Sequence, residues 1–369
     1  MTYDPNERRN TPLAERLKAR IRDSGPISVA DYMATCLWDP DNGYYATRNA
    51  IGGAGDFITA AEITQSFGEM LGLWAGVVWQ QVLGSPSAFT LAEYGPGRGT
   101  MMRDMLRAAR VVPGFLAAAS VRMVEASKTL EATQRATLAN LGARVSWGHN
   151  LIDFPTPAII VANEFLDAWP VDQWCLTSDG WRQCGVGLDE AGELAMCALA
   201  VGDDEGALAR LYPSAAPGTI VESQRPERLA KALRSLAAHG PLAALIIDYG
   251  YASASAGDTL QAVRGHRMES PLTSPGEADL SAHVSFYELA SVLHACGLEI
   301  DGPMTQAEFL GSLGIVPGGS SVRESTAHSC CGPLSREFPI SKGERCESCA
   351  ASANGSRSDS RATFGWCCI

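Results

Sequence analysis

A glycine-rich turn between a short apolar run and a helical segment constrains the fold of this chain most. The apolar run Ala88–Ala92 ends in Glu93, and Met101–Arg110 has a helical pattern. Between them, glycines occupy three alternate positions, Gly95, Gly97 and Gly99. A unit of strand, glycine turn and helix can hold a nucleotide-like ligand, because glycines let the backbone approach it and the helix N-terminus offers free N–H groups. The turn therefore predicts an α/β sheet with a ligand at this point, although such a turn can also form without one.

The spacing of the glycines indicates the kind of ligand. Dinucleotide-binding folds favour the pattern G-x-G-x-x-G. Residues 93–99 instead follow E-x-G-x-G-x-G, the form that S-adenosyl-L-methionine (SAM) methyltransferases use. The pattern therefore favours SAM as the cofactor, and it disfavours an NAD-dependent oxidoreductase.

Strands alternate with helices along most of the chain. Apolar runs predict further strands at 121–125, 144–147, 158–162, 244–250 and 297–301, and helical patterns lie at 61–83, 130–141, 229–239 and 285–295. The alternation predicts a mostly parallel, doubly wound sheet of the Rossmann-like α/β class. The expected organisation is a helical N-terminal region at 1–87, a core at 88–317 with an inserted substrate region at about 174–228, and a tail at 318–369.

Composition excludes several classes of partner. The chain has 29 basic and 41 acidic residues, a net charge of −12, and no cluster of Lys or Arg. Nucleic acid is disfavoured, because phosphate binding needs concentrated positive charge. No apolar run reaches the roughly 18 residues that indicate a membrane helix. Asp4, Glu7 and Glu15 disfavour a mitochondrial transit peptide, so a bacterial-type cytoplasm is the expected location.

Two acids near the glycine turn are candidate cofactor ligands. Glu125 lies 26 residues after Gly99, at the carboxyl end of the next predicted strand. An acid at that point can accept both ribose hydroxyls of a nucleoside, although it can also be a solvated strand end. Glu93 is expected to face the cationic amino group of the cofactor, directly or through water, with capping of the turn as the alternative.

A second acidic segment follows the strand at 158–162. Asn163, Glu164 and Asp167 lie at the carboxyl edge of the predicted sheet, where open α/β sheets bind ligands. Asn163 is therefore expected at the cofactor. Glu164 and Asp167, three residues apart, can hold a guanidinium through charge-assisted bonds. The alternative is that both acids complement the dipole of a helix N-terminus.

As a set, several motifs resemble the MidA-like methyltransferases, a family that includes a mitochondrial complex I assembly factor regarded as a protein-arginine methyltransferase. The resemblance covers about residues 12–316. The matching segments are 55–59, 62–69, 93–100, 163–171, 248–250, 257–261, 275–280 with His283, and 305–310. A mild departure is Ala61, because family sequences usually have proline before Glu62-Ile63.

The resemblance implies a SAM-dependent methyltransferase that acts on an arginine of a partner protein, in the mitochondrial relative a complex I subunit. A methyltransferase-like assembly chaperone without catalysis is the alternative. The resemblance also implies roles for individual residues: Gly55, Asp56 and Phe57 close over the methionine end of SAM, and Asp248 and Tyr249 line the substrate pocket. His266 is also expected at the substrate pocket, and His266 and His283 are candidate proton acceptors, with a structural hydrogen-bonding role as the alternative. By this interpretation, Glu164 and Asp167 orient the guanidinium and take its proton.

The tail differs in composition from the rest of the chain. From Gly318 onward, 52 residues contain 11 serines and six cysteines, and they show almost no periodic apolar pattern. Adjacent cysteine pairs fit the spacing of zinc sites poorly, so no metal site is expected. The family is expected to end in a strand that inserts antiparallel between the last two strands of the sheet. Because no such strand is recognisable, we expect an aberrant or disordered tail and a gap in the sheet beside Ile247.

Overall fold

The structure, a computed structural model, describes residues 4–47, 64–200, 204–313 and the backbone of 362–368. Within these ranges the helices are α1 (Pro12–Ser24), α2 (Val29–Trp38), α3 (Tyr44–Thr47), α4 (Gln65–Val77), α5 (Thr100–Ala108), α6 (Phe115–Ala118), α7 (Lys128–Leu138), α8 (Glu205–Leu211), α9 (Glu227–Ala237), α10 (Phe286–Ala295) and α11 (Gln306–Ser312). A π-helical turn, Val78–Val82, continues α4.

The strands fall into one parallel sheet and three smaller groups. In chain order they are β1 (Ile27–Ser28), β2 (Phe89–Tyr94), β3 (Ala119–Val124), β4 (Arg144–Gly148), β5 (Ala158–Asn163), β6 (Asp172–Thr177), β7 (Gly180–Leu188), β8 (Leu194–Ala198), β9 (Ile220–Ser223), β10 (Leu242–Asp248), β11 (Gly250–Tyr251), β12 (Gln261–Arg264), β13 (Arg267–Glu269), β14 (Asp279–Ser281), β15 (Val284–Ser285), β16 (Glu299–Thr305) and β17 (Ala362–Cys368).

The main sheet has seven strands in the order β16-β17-β10-β5-β2-β3-β4, and all neighbours pair in parallel. Its central strands β5 and β10 are almost wholly buried, as expected for a parallel sheet covered on both faces. Val161 and Leu245 pack on the side of α4 and α5, whereas Ile160 and Ile246 pack on the side of α9 and α10. The predicted doubly wound α/β fold is confirmed.

The two N-terminal helices begin after residues that are typical of helix N-caps. The Thr11 side chain accepts a hydrogen bond from the backbone of Ala14, and Pro12 occupies the first turn of α1. Ser28 caps α2 in the same way. Leu17 and Met33 place α1 and α2 in a core shared with β7 and β14. The helical N-terminal region thus packs on the elements that lie beside the main sheet.

The segment that interrupts the alternation forms an antiparallel sheet. Strands β1, β7, β6 and β9 lie side by side, and β8 pairs with β7. Strands β6 to β9 fall within the predicted insertion at about 174–228, except that β6 begins at Asp172. We call strands β1 and β6 to β9 the inserted sheet. It is joined to the core immediately after β5, and so it borders the carboxyl edge of the parallel strands.

The predicted gap beside Ile247 is wrong. Strand β17 lies between β10 and β16, and Cys367 stands opposite Ile247. The strand runs parallel to both neighbours, whereas the family resemblance implied an antiparallel one. Its sequence contains Thr, Phe and Trp, which favour strands, but the serine-rich flanks hid this signal. The backbone groups of β10 and β16 that a gap would leave unpaired are thereby satisfied.

Other predictions for the tail fall on residues outside the described ranges. These include four of its six cysteines, Cys330, Cys331, Cys346 and Cys349, and its expected disorder. In the described part of the chain, no group of three or more His, Cys, Asp or Glu is arranged to hold a metal ion. None of the helices within those ranges is both long and apolar enough to span a membrane.

Candidate active site

The glycine turn forms a sharp connection between β2 and α5. Gly95, Gly97 and Gly99 have φ values of 63°, 52° and 77°, a region that side chains disfavour and glycine adopts without strain. A Cβ atom on Gly95 would lie 2.7 Å from Cδ2 of Phe165. Gly99 is the N-cap of α5 and has no side chain to cap it, and the buried Glu93 accepts a hydrogen bond from the backbone N–H of Met102 in the first turn. The turn therefore places a helix N-terminus at the end of β2, the position at which α/β folds hold a nucleotide-like ligand.

Glu93 lies buried at the end of β2, directly before the turn. It is 2% exposed, and its Oε2 has no hydrogen-bond partner within the described ranges. Burial, together with the nearby charge of Glu125, raises the pKa of Glu93 well above its usual range. A buried oxygen without a partner is unfavourable, so its position suits a polar group of a ligand. The amino group of SAM is such a group, and the residues present fit this cofactor.

Glu125 follows β3, and backbone and side-chain donors hold its carboxylate. The backbone N–H of Ser127 donates to Oε1 at 2.7 Å, and Gln134 Nε2 donates to Oε2 at 2.9 Å. Burial raises the pKa of Glu125. The same Gln134 Nε2 lies 2.7 Å from the carbonyl oxygen of Gly97. Gln134 therefore ties the candidate ribose ligand to the glycine turn.

Gln134 was not predicted from the sequence, although a signal was present. On α7, the buried positions are Leu130, Gln134 and Leu138, which follow one another at intervals of four residues. A fully buried glutamine in an otherwise apolar stripe needs hydrogen-bond partners. Trp147 Nε1 supplies one by donating to Gln134 Oε1 at 2.9 Å. A polar side chain at an apolar helical position was thus the available clue.

Glu125→Gln is expected to weaken the binding of S-adenosylhomocysteine about tenfold. The amide offers one acceptor oxygen instead of two, so a ribose hydroxyl loses a bond to a charged group, worth roughly 1.5–3 kcal/mol. Titration calorimetry with S-adenosylhomocysteine measures the effect. Glu131→Gln, which changes an exposed ion pair on α7, is the matched control. Unchanged affinity in Glu125→Gln would exclude Glu125 from the nucleoside site.

Asp248 holds the turn that follows β5. Its Oδ2 accepts hydrogen bonds from the backbone N–H groups of Phe165, Leu166 and Asp167 at 3.1, 2.9 and 3.2 Å. Its Oδ1 accepts from the N–H of Tyr249 at 2.9 Å. Asp248 is 1% exposed, and burial raises its pKa while these backbone donors act in the opposite direction. The structure thus places Asp248 where it holds the backbone of the turn that contains Glu164 and Asp167.

Asp167, which belongs to that turn, forms a buried pair with Tyr249. The Tyr249 hydroxyl donates to Asp167 Oδ2 at 2.6 Å. Asp167 Oδ1 is buried and, among the residues that the structure describes, has no hydrogen-bond partner. Burial raises the pKa of Asp167, and the bond from Tyr249 opposes this effect. Glu164 stands at the start of the same turn with a φ of 47°, which is unusual for a residue with a side chain.

Asp248→Ala is expected to lower the free energy of unfolding by about 3 kcal/mol or more. The substitution leaves several buried N–H groups without acceptors, each at about 1–3 kcal/mol. Urea denaturation measures the loss. Asp153→Ala removes an exposed carboxylate that pairs with Arg122, and it should change stability by less than about 1 kcal/mol. A loss of similar size in both variants would show that Asp248 does not support the turn.

The remaining candidate residues lie in different surroundings. Asn163 is the last residue of β5, at the edge that carries Glu164. His283 is half-buried, its ring meets the Tyr249 ring edge-on at 5.5 Å, and burial lowers its pKa. His266 is exposed at the tip of the β12–β13 hairpin, outside the buried group. Gly55, Asp56 and Phe57 fall outside the described residues.

The architecture and motifs match known proteins over most of the chain. A family model described as S-adenosyl-L-methionine-dependent methyltransferase matches residues 70–304. The mitochondrial protein arginine methyltransferase NDUFAF7 of Mus musculus is 35% identical over 341 residues, which cover 83% of this chain and 74% of the mouse protein. The Danio rerio protein of that name is 32% identical, with 83% and 77% covered.

A solved structure agrees with these relatives. A bacterial protein from Burkholderia thailandensis, crystallised with bound S-adenosyl-homocysteine, superimposes with a TM-score of 0.70 at 28% identity, and the match covers 84% of each chain. This agreement supports both the fold and SAM as the cofactor of the chain.

The predicted bacterial-type cytoplasm is wrong. The relatives from mouse and zebrafish, and the human protein at 33% identity, are mitochondrial. The prediction was based on the charge of three acidic residues, Asp4, Glu7 and Glu15, and local charge is not enough to assign a compartment. The glycine turn, the buried acids beside it and the extent of these matches lead to one conclusion. The chain belongs to the family of S-adenosyl-L-methionine-dependent methyltransferases.

Proposed function

We propose that this enzyme transfers the methyl group of SAM to an arginine side chain of a partner protein, and that the partner is a subunit of respiratory complex I. The observation that carries the proposal is the buried Asp167, with one oxygen held by Tyr249 and the other without a described partner. A guanidinium would supply the missing donors and a compensating charge. The relatives named protein arginine methyltransferase support this choice of substrate.

The two ends of the site have different roles in this proposal. Glu93, Glu125, the glycine turn and Asn163, at the end of β5, would hold the cofactor. When bound, SAM supplies an electrophilic methyl group on a sulfonium. Glu164 and Asp167 orient the guanidinium toward it through charge-assisted hydrogen bonds.

Positioning can account for much of the rate. Holding two reacting groups in line can lower a barrier by roughly 7–11 kcal/mol in favourable systems. Methylation replaces one N–H bond of the guanidinium by an N–CH3 bond, and the proton that is released needs an acceptor. Because burial raises the pKa of Asp167, this carboxylate is a better proton acceptor than an exposed aspartate. Tyr249 keeps the carboxylate in place by donating to its other oxygen.

Transfer of a labelled methyl group tests the proposal. The full chain is incubated with tritium-labelled SAM and purified complex I subunits, and mass spectrometry locates the label. We expect label on arginine, with a loss of transfer in Glu164→Ala. SAM binding without transfer, unchanged by Glu164→Ala, would instead favour a non-catalytic assembly chaperone. Label on lysine or on a carboxylate would contradict the choice of arginine.

A further inference from the structure

A buried polar network connects the inserted sheet to the loop before β12. Glu222 lies on β9, and Gln173 lies on β6. Gln173 Nε2 donates to Glu222 Oε1 at 2.7 Å and to Asp258 Oδ1 at 2.8 Å. Thr259 donates to Glu222 twice, from its backbone N–H to Oε1 at 3.0 Å and from its hydroxyl to Oε2 at 2.5 Å. Glu222 is 8% exposed and Gln173 is 1% exposed, so water competes little for these bonds.

The same threonine continues the network toward the acid pair. Thr259 Oγ1 accepts a hydrogen bond from the backbone N–H of His283 at 2.9 Å. The His283 ring meets the Tyr249 ring edge-on, and Tyr249 donates to Asp167. The Thr259 hydroxyl has one proton, which it donates in a hydrogen bond to Glu222. The lone pairs of Thr259 Oγ1 then face the backbone N–H of His283. The Glu222 carboxylate therefore determines how the Thr259 hydroxyl is oriented toward His283.

We propose that Glu222 and Thr259 are positioning residues for methyl transfer, which fix His283 and Tyr249 and thereby hold Asp167 in its productive orientation. This inference rests on the proposed role of Asp167. It gives a purpose to the segment 257–261, which belongs to the family motifs but had no assigned role, and it links the inserted sheet to the chemistry. The hydrogen-bond partners of these two side chains lie in the network and not in the glycine turn, so we expect their loss to affect methyl transfer more than cofactor binding.

Thr259→Val and Thr259→Ser separate positioning from packing. Valine keeps the volume but leaves Glu222 Oε2 and the His283 N–H without their partner, whereas serine keeps the hydroxyl. We expect Thr259→Val to lower kcat for methyl transfer to purified complex I subunits about tenfold or more. KM and the affinity for S-adenosylhomocysteine should stay within twofold, and Thr259→Ser should recover most of kcat. Thr273→Val is the matched control, because Thr273 is fully buried and its hydroxyl has no partner among the described residues.

A titration of His283 tests the link without any substrate. Burial lowers the pKa of His283, and NMR can follow its ring through pH in the holoenzyme with S-adenosylhomocysteine. We expect this pKa to rise toward its ordinary value in Thr259→Val and to stay unchanged in Thr259→Ser and Thr273→Val. If Thr259→Val does not fold, Glu222→Gln, which keeps the volume but replaces the acceptor, takes its place with the same expectations.

The outcomes distinguish this inference from the proposed function. If the wild-type chain transfers no methyl group, the proposed function fails, while the His283 titration still tests the network. A kcat in Thr259→Val within twofold of the wild type, or an equal loss in the serine variant, would overturn the positioning role. A parallel loss of S-adenosylhomocysteine affinity would also overturn it, since that result indicates general damage.

Discussion

Replacing Gly97 by valine is expected to abolish cofactor binding. Gly97 lies at the middle of the turn with a φ of 52°, and its lack of a side chain lets the backbone approach the cofactor. A valine side chain would occupy that space, and a β-branched residue is also strained at this φ. We expect the affinity for S-adenosylhomocysteine to fall at least about 100-fold, or about 2.7 kcal/mol. Titration calorimetry on the purified variant measures the loss.

Gly192→Val is the matched control for backbone strain. Gly192 has a φ of 78°, and a Cβ atom at this position would meet no other atom within 4 Å. It lies in the turn between β7 and β8. This variant should lose some stability but bind S-adenosylhomocysteine as the wild type does. If both variants bind equally well, the pocket is not at the glycine turn. If both lose binding together, backbone strain rather than cofactor contact explains the effect.

Asp167→Asn is expected to reduce methyl transfer about 100-fold or more, while cofactor affinity changes less than threefold. The amide keeps the shape of the side chain and one acceptor for Tyr249, but it cannot take a proton or balance a guanidinium charge. Single-turnover transfer to purified complex I subunits and calorimetry with S-adenosylhomocysteine give the two quantities. Equal losses in both would place Asp167 in the cofactor pocket. Unchanged transfer would remove it from the reaction.

The stability of Asp167→Asn should carry a pH signature. Burial raises the pKa of Asp167 above its ordinary value of 3.8, so the folded state holds this proton more tightly than the unfolded state. The contribution of protonated Asp167 to stability is therefore fully present below about pH 3.8, and it is lost as pH rises through the pKa that Asp167 has in the folded state. At pH 7 this contribution is reduced because ionisation is unfavourable in the folded state, so the variant should have an equal or higher Tm. This advantage of the variant should shrink as pH falls toward 4. A Tm of the variant clearly below that of the wild type at pH 7 would contradict the prediction.

The sheet could be predicted from sequence because its signals are local. The buried runs around β5 and β10 are continuous and apolar, and the helix start at Thr11-Pro12 depends on neighbouring residues alone. The glycine turn and the acids at strand ends are likewise short-range patterns. Each of these features depends on a few adjacent residues, so one sequence is enough to find them.

The contacts that complete the site depend on distant residues. Tyr249 and Asp167 are 82 positions apart, Thr259 and Glu222 are 37 apart, and Gln134 joins Gly97 at a separation of 37. No periodicity connects such pairs, and only the fold brings them together. Strand β17 was missed for a related reason, because its neighbours β10 and β16 define its place more clearly than its own flanks do.

A crystal structure of the chain with S-adenosylhomocysteine tests the central claim most directly. The ligand is expected over Gly95, Gly97 and Gly99, with its ribose on Glu125, its amino group toward Glu93 and its sulfur facing the side of Asp167. Density for the ligand at another place, or a ribose bound away from Glu125, would contradict the account.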